Sequence, residues 1–282
     1  MKNMYRLKIK CKKVKNLIKF FKTTILILLC FTLGLYSIFI EPNKLEVMNY
    51  TIQDQELSGV KIVFASDFHI KPHQQNRLEK IVNLINSQNP DLVLSAGDFV
   101  SGHLQKTTMP PEDIAKGLGK VKSKYGFYTT LGNHDQWYGN EEITKNLEAN
   151  NIKVLNNANK KIIVNGKPIY IAGIQYQPSM IQISNAIDNT QKPTIMLTHS
   201  PDEFKKIPQD YVNLILAGHT HGGQIRIPFI GPLFTASSYG DKYAKGFIEE
   251  DGKKMITTTG IGTSILPIRF NCSPEIVVIE FK

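Results

Sequence analysis

The sequence predicts an α/β protein in which two packed sheets carry helices on their outer faces, preceded by an apolar N-terminal helix. Three observations predict it. Continuous β-branched runs such as "VKIVFAS" (60–66) alternate with segments of helical period, as expected for strands buried on both faces beneath helices. Asn165-Gly166 and Asp251-Gly252 each separate two β-like runs, a strong hairpin signal. Lastly, "TTILILLCFTLGLYSIFI" (23–40) holds neither charge nor proline and is close to the length that crosses a bilayer as a helix.

Residues 1–22 carry nine of the 34 basic side chains and no acid, which leaves 25 basic against 24 acidic residues in the remaining chain. The net charge of +10 is therefore a property of the tail. A near-neutral body lacks the broad basic face of a nucleic-acid binder, and none is expected as partner. The basic region is long and no small-x-small cleavage site follows the apolar run, so an uncleaved anchor over 23–40 is expected rather than a signal peptide. The lipid bilayer is thus the first expected partner. The basic flank should stay cytoplasmic, which puts the body on the other side. Cys11, Cys30 and Cys272 are too scattered for a disulfide framework or a CxxC pair.

Residues 41–58 read as a linker and opening strand, and 59–282 as one catalytic domain. After the strand at 60–66, Leu78, Ile81, Val82 and Ile85 mark a helix that Pro90 stops, and "DLVLSAGD" (91–98) is a second buried strand. "YGFYTTLGNHD" (125–135) reads as a third strand, followed by a short helix at "EEITKNLEAN" and the segment "IKVLNN". The Asn165-Gly166 hairpin follows, then buried strands at "PTIMLTHS" (193–200) and "VNLILAGHTH" (212–221). The C-terminal third is β structure: "GQIRIP", the Asp251-Gly252 hairpin and "EIVVIEF".

Five polar clusters stand at the ends of these strands: Asp67-Phe68-His69, Gly97-Asp98, Gly132-Asn133-His134-Asp135, His199, and Gly218-His219-Thr220-His221. Each alone has an ordinary reading as a turn, a helix cap or a solvated pair. Together they hold five of the seven histidines, and in an open α/β sheet the carboxyl ends of the strands converge on the ligand crevice. Asp67, His69, Asp98, Asn133, His199, His219 and His221 would supply two carboxylates, four imidazoles and one carboxamide. One shared carboxylate lets two cations sit about 3.5–4 Å apart, and a hydroxide between them can attack phosphorus in line. Mixed imidazole and carboxylate donors favour Mn²⁺, Fe²⁺ or Zn²⁺ over Mg²⁺, with Mn²⁺ preferred.

The motifs "DFH", "GD", "GNHD", "THS" and "GHTH" resemble, in order and without a departure at any ligand position, those of the calcineurin-like metallophosphoesterases. The resemblance implies that family's β-sandwich of mixed sheets flanked by helices. It implies that Asp67, His69 and His221 bind one metal, that Asn133, His199 and His219 bind the other, and that Asp98 bridges them. It makes His134 the group that protonates the leaving oxygen, Asp135 the group that orients its ring, and Asn133 a contact to the phosphoryl group. "THSPDEF" and "AGHTHGGQIRIPFIGP" are similar to a membrane-associated bacterial branch that includes phosphodiesterases and a UDP-2,3-diacylglucosamine pyrophosphatase of lipid A synthesis. A phosphodiester or UDP-sugar lipid is the expected substrate, with an extracytoplasmic phosphodiesterase acting on phospholipid, cell-wall or nucleotide substrates as the alternative. Arg269 is open between a phosphate contact and a structural ion pair, as is Arg226, and Asn271 lies beside it. Trp137 and Tyr138 are expected to pack in the core rather than line a groove, and His73 and His103 to lie on the surface.

Overall fold

The computed structural model describes residues 2–102 and 105–282, with side chains from residue 13 onward except Val14 and Gln105; His103 and the Cys11 side chain lie outside the described residues. Helix α1 (Lys2–Leu35) carries the basic segment and most of the apolar run without a break. Lysine and leucine are both good helix formers, so the change near residue 22 alters what the helix surface prefers and not its backbone. A five-residue wider turn (Tyr36–Ile40) and a 3₁₀ turn (Glu41–Asn43) complete the run.

The body continues through β1 (Glu46–Ile52), β2 (Lys61–Phe64), α2 (Gln75–Ser87), β3 (Leu92–Ser95), α3 (Pro111–Leu118), β4 (Phe127–Thr129), α4 (Asn133–Tyr138), α5 (Asn140–Ala149) and β5 (Ile152–Val154). Then come β6 (Ala158–Val164), β7 (Lys167–Ile174), α6 (Met180–Ile187), β8 (Thr194–Thr198) and β9 (Leu214–Ala217). The short pair β10 (Arg226–Ile227) and β11 (Gly231–Pro232) precedes β12 (Gly246–Glu250), β13 (Lys253–Thr257) and β14 (Glu275–Phe281).

Two six-stranded sheets result, in the orders β1-β14-β2-β3-β4-β5 and β12-β13-β9-β8-β7-β6. Because side chains alternate along a strand, Ile62 and Phe64 of β2 and Leu92 and Leu94 of β3 meet Ile195, Leu197, Leu214 and Leu216 of the facing sheet. The residues between them, Val63 and Val93, point the other way and pack with Leu78, Ile81, Ile114 and Ile143 of the helices. On the far side Met196, Ile215 and Met255 pack with Ile183, Phe204 and Tyr243. Four layers, helix–sheet–sheet–helix, account for strands that read as apolar on both faces.

Both hairpins form, with Asn165 and Asp251 at positive φ (50° and 52°). The strand expected over 125–135 is limited to Phe127–Thr129, and Asn133 already begins α4. The reason is local: the Asp135 carboxylate accepts the Gly132 N–H three residues back and closes a helical turn. Helices α3 and α6, eight residues each, stand in addition to the expected elements; Pro111 starts one and Ser179, capping the N–H of Gln182, starts the other.

Candidate metal centre

Parallel pairing of β2 with β3, of β3 with β4, and of β8 with β9 sets their carboxyl ends side by side. The chain leaves β2 and β3 as two loops zipped together through Asp67 N–H to Gly97 O at 2.9 Å and His69 N–H to Asp98 O at 3.1 Å. Five of the candidate ligands, Asp67, His69, Asp98, His219 and His221, sit at positive φ between 42° and 70°. Non-glycine residues in that region cost about 1–3 kcal/mol each and gather at functional sites. Here the strain turns side chains inward that would otherwise continue the pleat.

Their polar atoms converge. His69 Nδ1 donates to the Val100 carbonyl at 3.1 Å, which leaves Nε2 bare and 3.1 Å from His221 Nε2. His199 Nδ1 donates to Ala96 O at 2.8 Å; its Nε2 lies 2.9 Å from Asn133 Oδ1 and 3.0 Å from His219 Nδ1. Asp98 Oδ2 stands between the two groups, 3.4 Å from His69 Nε2 and 3.3 Å from His199 Nε2, while Oδ1 accepts the His134 N–H. Asp67 Oδ1 accepts the His219 N–H at 2.9 Å, but Oδ2, fully buried, has no hydrogen-bond partner among the described residues. Three sets of three, Asp67 with His69 and His221, His69 with Asp98 and His134, and Asp67 with Asp98 and His199, have ligand atoms close enough for one ion.

Such a knot of acceptors in a dry interior is costly unless positive charge sits among them. The titration pattern carries the same imbalance. Burial pushes the orphaned Asp67 carboxyl up to about 7 and drives His69 and His219 down to about 3, so both rings are neutral, as metal ligands must be. Burial also opposes charge on His199, but the Asp98 carboxylate overrides it and lifts the ring to about 9. A proton there balances Asp98, a task that fits a cation better. The donor set therefore fits divalent metal.

Glycines make the approach possible. A Cβ at Gly132 would fall on Asp98 Oδ1 and within 2.6 Å of the His199 ring, and one at Gly218 on Asp67 Oδ2. His134 stands at the rim, partly exposed, its ring 4.5 Å from that of His69 and 4.9 Å from Trp137. A cavity of about 690 Å³ opens beside His219, bounded by Tyr176, Asp202, Lys206, Phe234 and Tyr239.

The structure thus brings together Asp67, His69, Asp98, Asn133, His134, His199, His219 and His221, and it revises three expectations, those for Asp135, Arg269 and Trp137. Asp135 does not orient the His134 ring: its oxygens accept the backbone N–H groups of Asp98, Phe99 and Gly132 at 2.7, 2.9 and 3.0 Å, and His134 Nδ1 donates to the Ser101 carbonyl instead. Arg269 pairs with no carboxylate among the described residues, and one of its guanidinium nitrogens lies 3.5 Å from His221 Nδ1. The side chain is fully buried and donates to the carbonyls of Thr259, Gly260, Gly262 and Cys272. Arg226 is the structural ion pair, bidentate to Asp241, and Asn271 is an exposed turn residue at φ 52°. Trp137 is 56% exposed beside His134 rather than packed in the core, whereas Tyr138 does pack there. His73 is exposed. Sequence reasoning missed Tyr176, whose ring lies 5.1 Å from His219, and Ser264, whose Oγ is 3.5 Å from His134 Nε2. Neither belongs to a motif that marks it.

The family model for calcineurin-like phosphoesterases matches residues 60–223. The uncharacterized metallophosphoesterase YkuE of Bacillus subtilis is 30% identical over 88% of this chain and 89% of its own length. Phosphodiesterase YaeI of Escherichia coli is 27% identical, over 87% and 91%. A transmembrane protein with metallophosphoesterase domain from Danio rerio is 28% identical over 81% of this chain, which spans 54% of that relative. Among solved structures, the NAD nucleotidase NadN of Haemophilus influenzae superposes with a TM-score of 0.51 at 19% identity, over 72% of this chain and 45% of that one, and so shares the fold. With the model matched over more than half its length and the donor atoms gathered at the strand ends, this chain belongs to the calcineurin-like phosphoesterases and is a metal-dependent phosphohydrolase.

Proposed function

We propose that the protein is a membrane-anchored phosphodiesterase or pyrophosphatase that uses two divalent cations on a lipid-linked substrate. The observation that carries this reading is the buried ring of mutually facing acceptors around Asp98 Oδ2, with the Asp67 Oδ2 atom left over. Asp67, His69 and His221 would hold one cation, Asn133, His199 and His219 the other, and Asp98 both. Bound there, a pair of Mn²⁺, Fe²⁺ or Zn²⁺ ions, Mn²⁺ our preference, supplies Lewis-acid activation of the phosphoryl group and of water.

The remaining work falls to the chain. His134 Nδ1 is held on the Ser101 carbonyl, so its Nε2 faces the opening and donates a proton to the departing oxygen. The Asn133 amide, its oxygen turned to His199, offers its N–H to a phosphoryl oxygen. Tyr176 and Trp137 wall the opening on either side of the histidines. Anchoring rests on α1 and the turn after it, where Lys15–Asn43 is long and apolar enough to cross a membrane and almost wholly exposed.

Two substrates of this class differ in membrane side. UDP-2,3-diacylglucosamine, cleaved to the acyl sugar phosphate and UMP, is met at the cytoplasmic face. The basic flank of α1 favours a body on the opposite face, and with it a phospholipid, cell-wall or nucleotide diester. The test is hydrolysis of bis(p-nitrophenyl) phosphate and UMP release from UDP-2,3-diacylglucosamine, in detergent with Mn²⁺, by wild type and Asn133→Ala. Loss of both activities in the variant supports the site and the lipid A substrate. Diesterase activity without UMP release keeps the site and removes that substrate, and no hydrolysis of either by wild type overturns the reading.

A further inference from the structure

The body is joined to the end of the apolar helix more intimately than a tethered domain requires. Ser37 lies inside the apolar run 23–40, about 5 Å short of its end at the helical rise per residue, and is buried against the body. Its carbonyl accepts the Arg269 N–H at 3.0 Å. Glu41, also buried, accepts the Cys272 N–H at 2.6 Å, and Asn43 accepts from Arg77, whose other nitrogen donates to Ile261 O. The segment around 269 therefore sits level with residues of the span, not below it.

Two loops continuous with that segment expose large apolar side chains. Ile265 and Leu266, three or four residues before Arg269, are 92% and 52% exposed. The β10–β11 turn presents Phe229 and Ile230 at 109% and 75%, followed by the exposed Leu233 and Phe234. The loops are tied to each other. Phe270 O accepts the Arg226 N–H at 2.9 Å, and Gln224 exchanges hydrogen bonds with the N–H and C=O of Ser264. Soluble proteins scatter single apolar residues over their surface but rarely gather such side chains on adjoining loop tips. The patch also reaches the site at two points: Phe234 bounds the cavity beside His219, and Ser264 touches His134.

From this continuity we propose that the 229–234 and 265–266 loops insert into the same bilayer as the N-terminal helix and seat the mouth of the metal centre on the lipid surface. The substrate class that follows is an amphiphile whose phosphodiester or pyrophosphate lies at the headgroup level, its acyl part left in the membrane beyond Phe234. The proposal deepens the reading of a membrane-anchored hydrolase and rests on it. Inserted apolar loops add to the helix a second contact, which fixes rotation about the anchor as one span alone does not.

The test uses the full chain with Cys11 and Cys30 replaced by serine and the buried Cys272 kept. Single cysteines at Leu28, Ile163, Ile230 or Ile265 carry an environment-sensitive fluorophore, in vesicles of phosphatidylethanolamine and phosphatidylglycerol with or without brominated acyl chains. Hydrolysis of bis(p-nitrophenyl) phosphate verifies that each variant is folded. The proposal expects emission at 230 and 265 to be lost to brominated lipid as strongly as at Leu28, with Ile163, exposed on β6, unaffected. Unquenched Leu28 would overturn the anchor reading itself. Quenching at Leu28 with either 230 or 265 behaving like 163 overturns the loop insertion alone. Blue-shifted but unquenched emission at 230 and 265 does so too, and would assign the patch to a protein partner.

Discussion

Replacing Asp135 by asparagine separates two ways in which that carboxylate could serve the site. Its Oδ2 accepts the N–H groups of Asp98 and Gly132 at 2.7 and 3.0 Å, and its Oδ1 that of Phe99 at 2.9 Å. Asparagine keeps the size and one acceptor, but its amide group must face either Phe99 N–H or both of the others. At least one buried donor then loses its acceptor and meets another donor. A hydrogen bond to a charged group contributes about 1.5–3 kcal/mol and an unsatisfied buried donor costs about 1–3 kcal/mol. Thermal unfolding in detergent should therefore show Asp135→Asn destabilised by about 2–4 kcal/mol. Because the broken contacts hold the Asp98 backbone, metal content per chain, measured by elemental analysis, should fall with it. A variant with wild-type unfolding midpoint and full metal content, but reduced kcat, would refute this and restore a role through the His134 ring.

His134→Ala should leave metal content and unfolding midpoint unchanged while kcat on bis(p-nitrophenyl) phosphate drops by about 10²–10⁴, the range for loss of a general acid. Gly218→Ala sets a methyl group on Asp67 Oδ2, and elemental analysis should find metal lost from a chain that still folds by circular dichroism. Arg269→Met strands the carbonyls of Thr259, Gly260, Gly262 and Cys272 in the interior, and denaturation should register a loss of about 3–5 kcal/mol. The proton that Asp98 keeps on His199, against burial, up to about 9 must leave when a cation enters. Apparent metal affinity should then fall as the pH drops below about 9, by up to about tenfold per unit, and metal added to a weakly buffered sample at neutral pH should release acid.

The sandwich was legible because its strands are covered on both faces, so Val63 and Val93 are as apolar as Phe64 and Leu94 and the runs stand out unbroken. The ligand candidates were legible for a related reason: Asp67, Asp98, His199 and His219 follow those runs directly, and Gly97 and Gly218 beside two of them mark close packing. What the sequence concealed depends on contacts between distant segments. Asp135 follows His134 in the chain and invites a pairing, yet the fold presents the carboxylate with backbone donors from the loop after β3 as well as with Gly132 N–H. Arg269 reads in the sequence as a charge seeking a charge; a cage of four carbonyls, built by a loop that turns back on itself, has no signature in residue types. The short extent of β4 was hidden by the Tyr128-Thr129-Thr130-Leu131 stretch, whose β-branched and aromatic residues support a strand until Asp135 closes the first turn of α4. Tyr176 lies beyond the end of β7 with no neighbouring motif, and only the parallel β7–β8 pairing brings it to His199.

A two-cation hydrolytic site centred on Asp98 is put to the test by metal content per chain measured beside diester hydrolysis, for wild type and Asp98→Ala loaded with Mn²⁺. The wild-type chain should carry two ions, and the variant should lose both ions and its activity together. A wild-type chain that hydrolyses the diester with one ion, or an Asp98→Ala chain that keeps both ions and its rate, would contradict it.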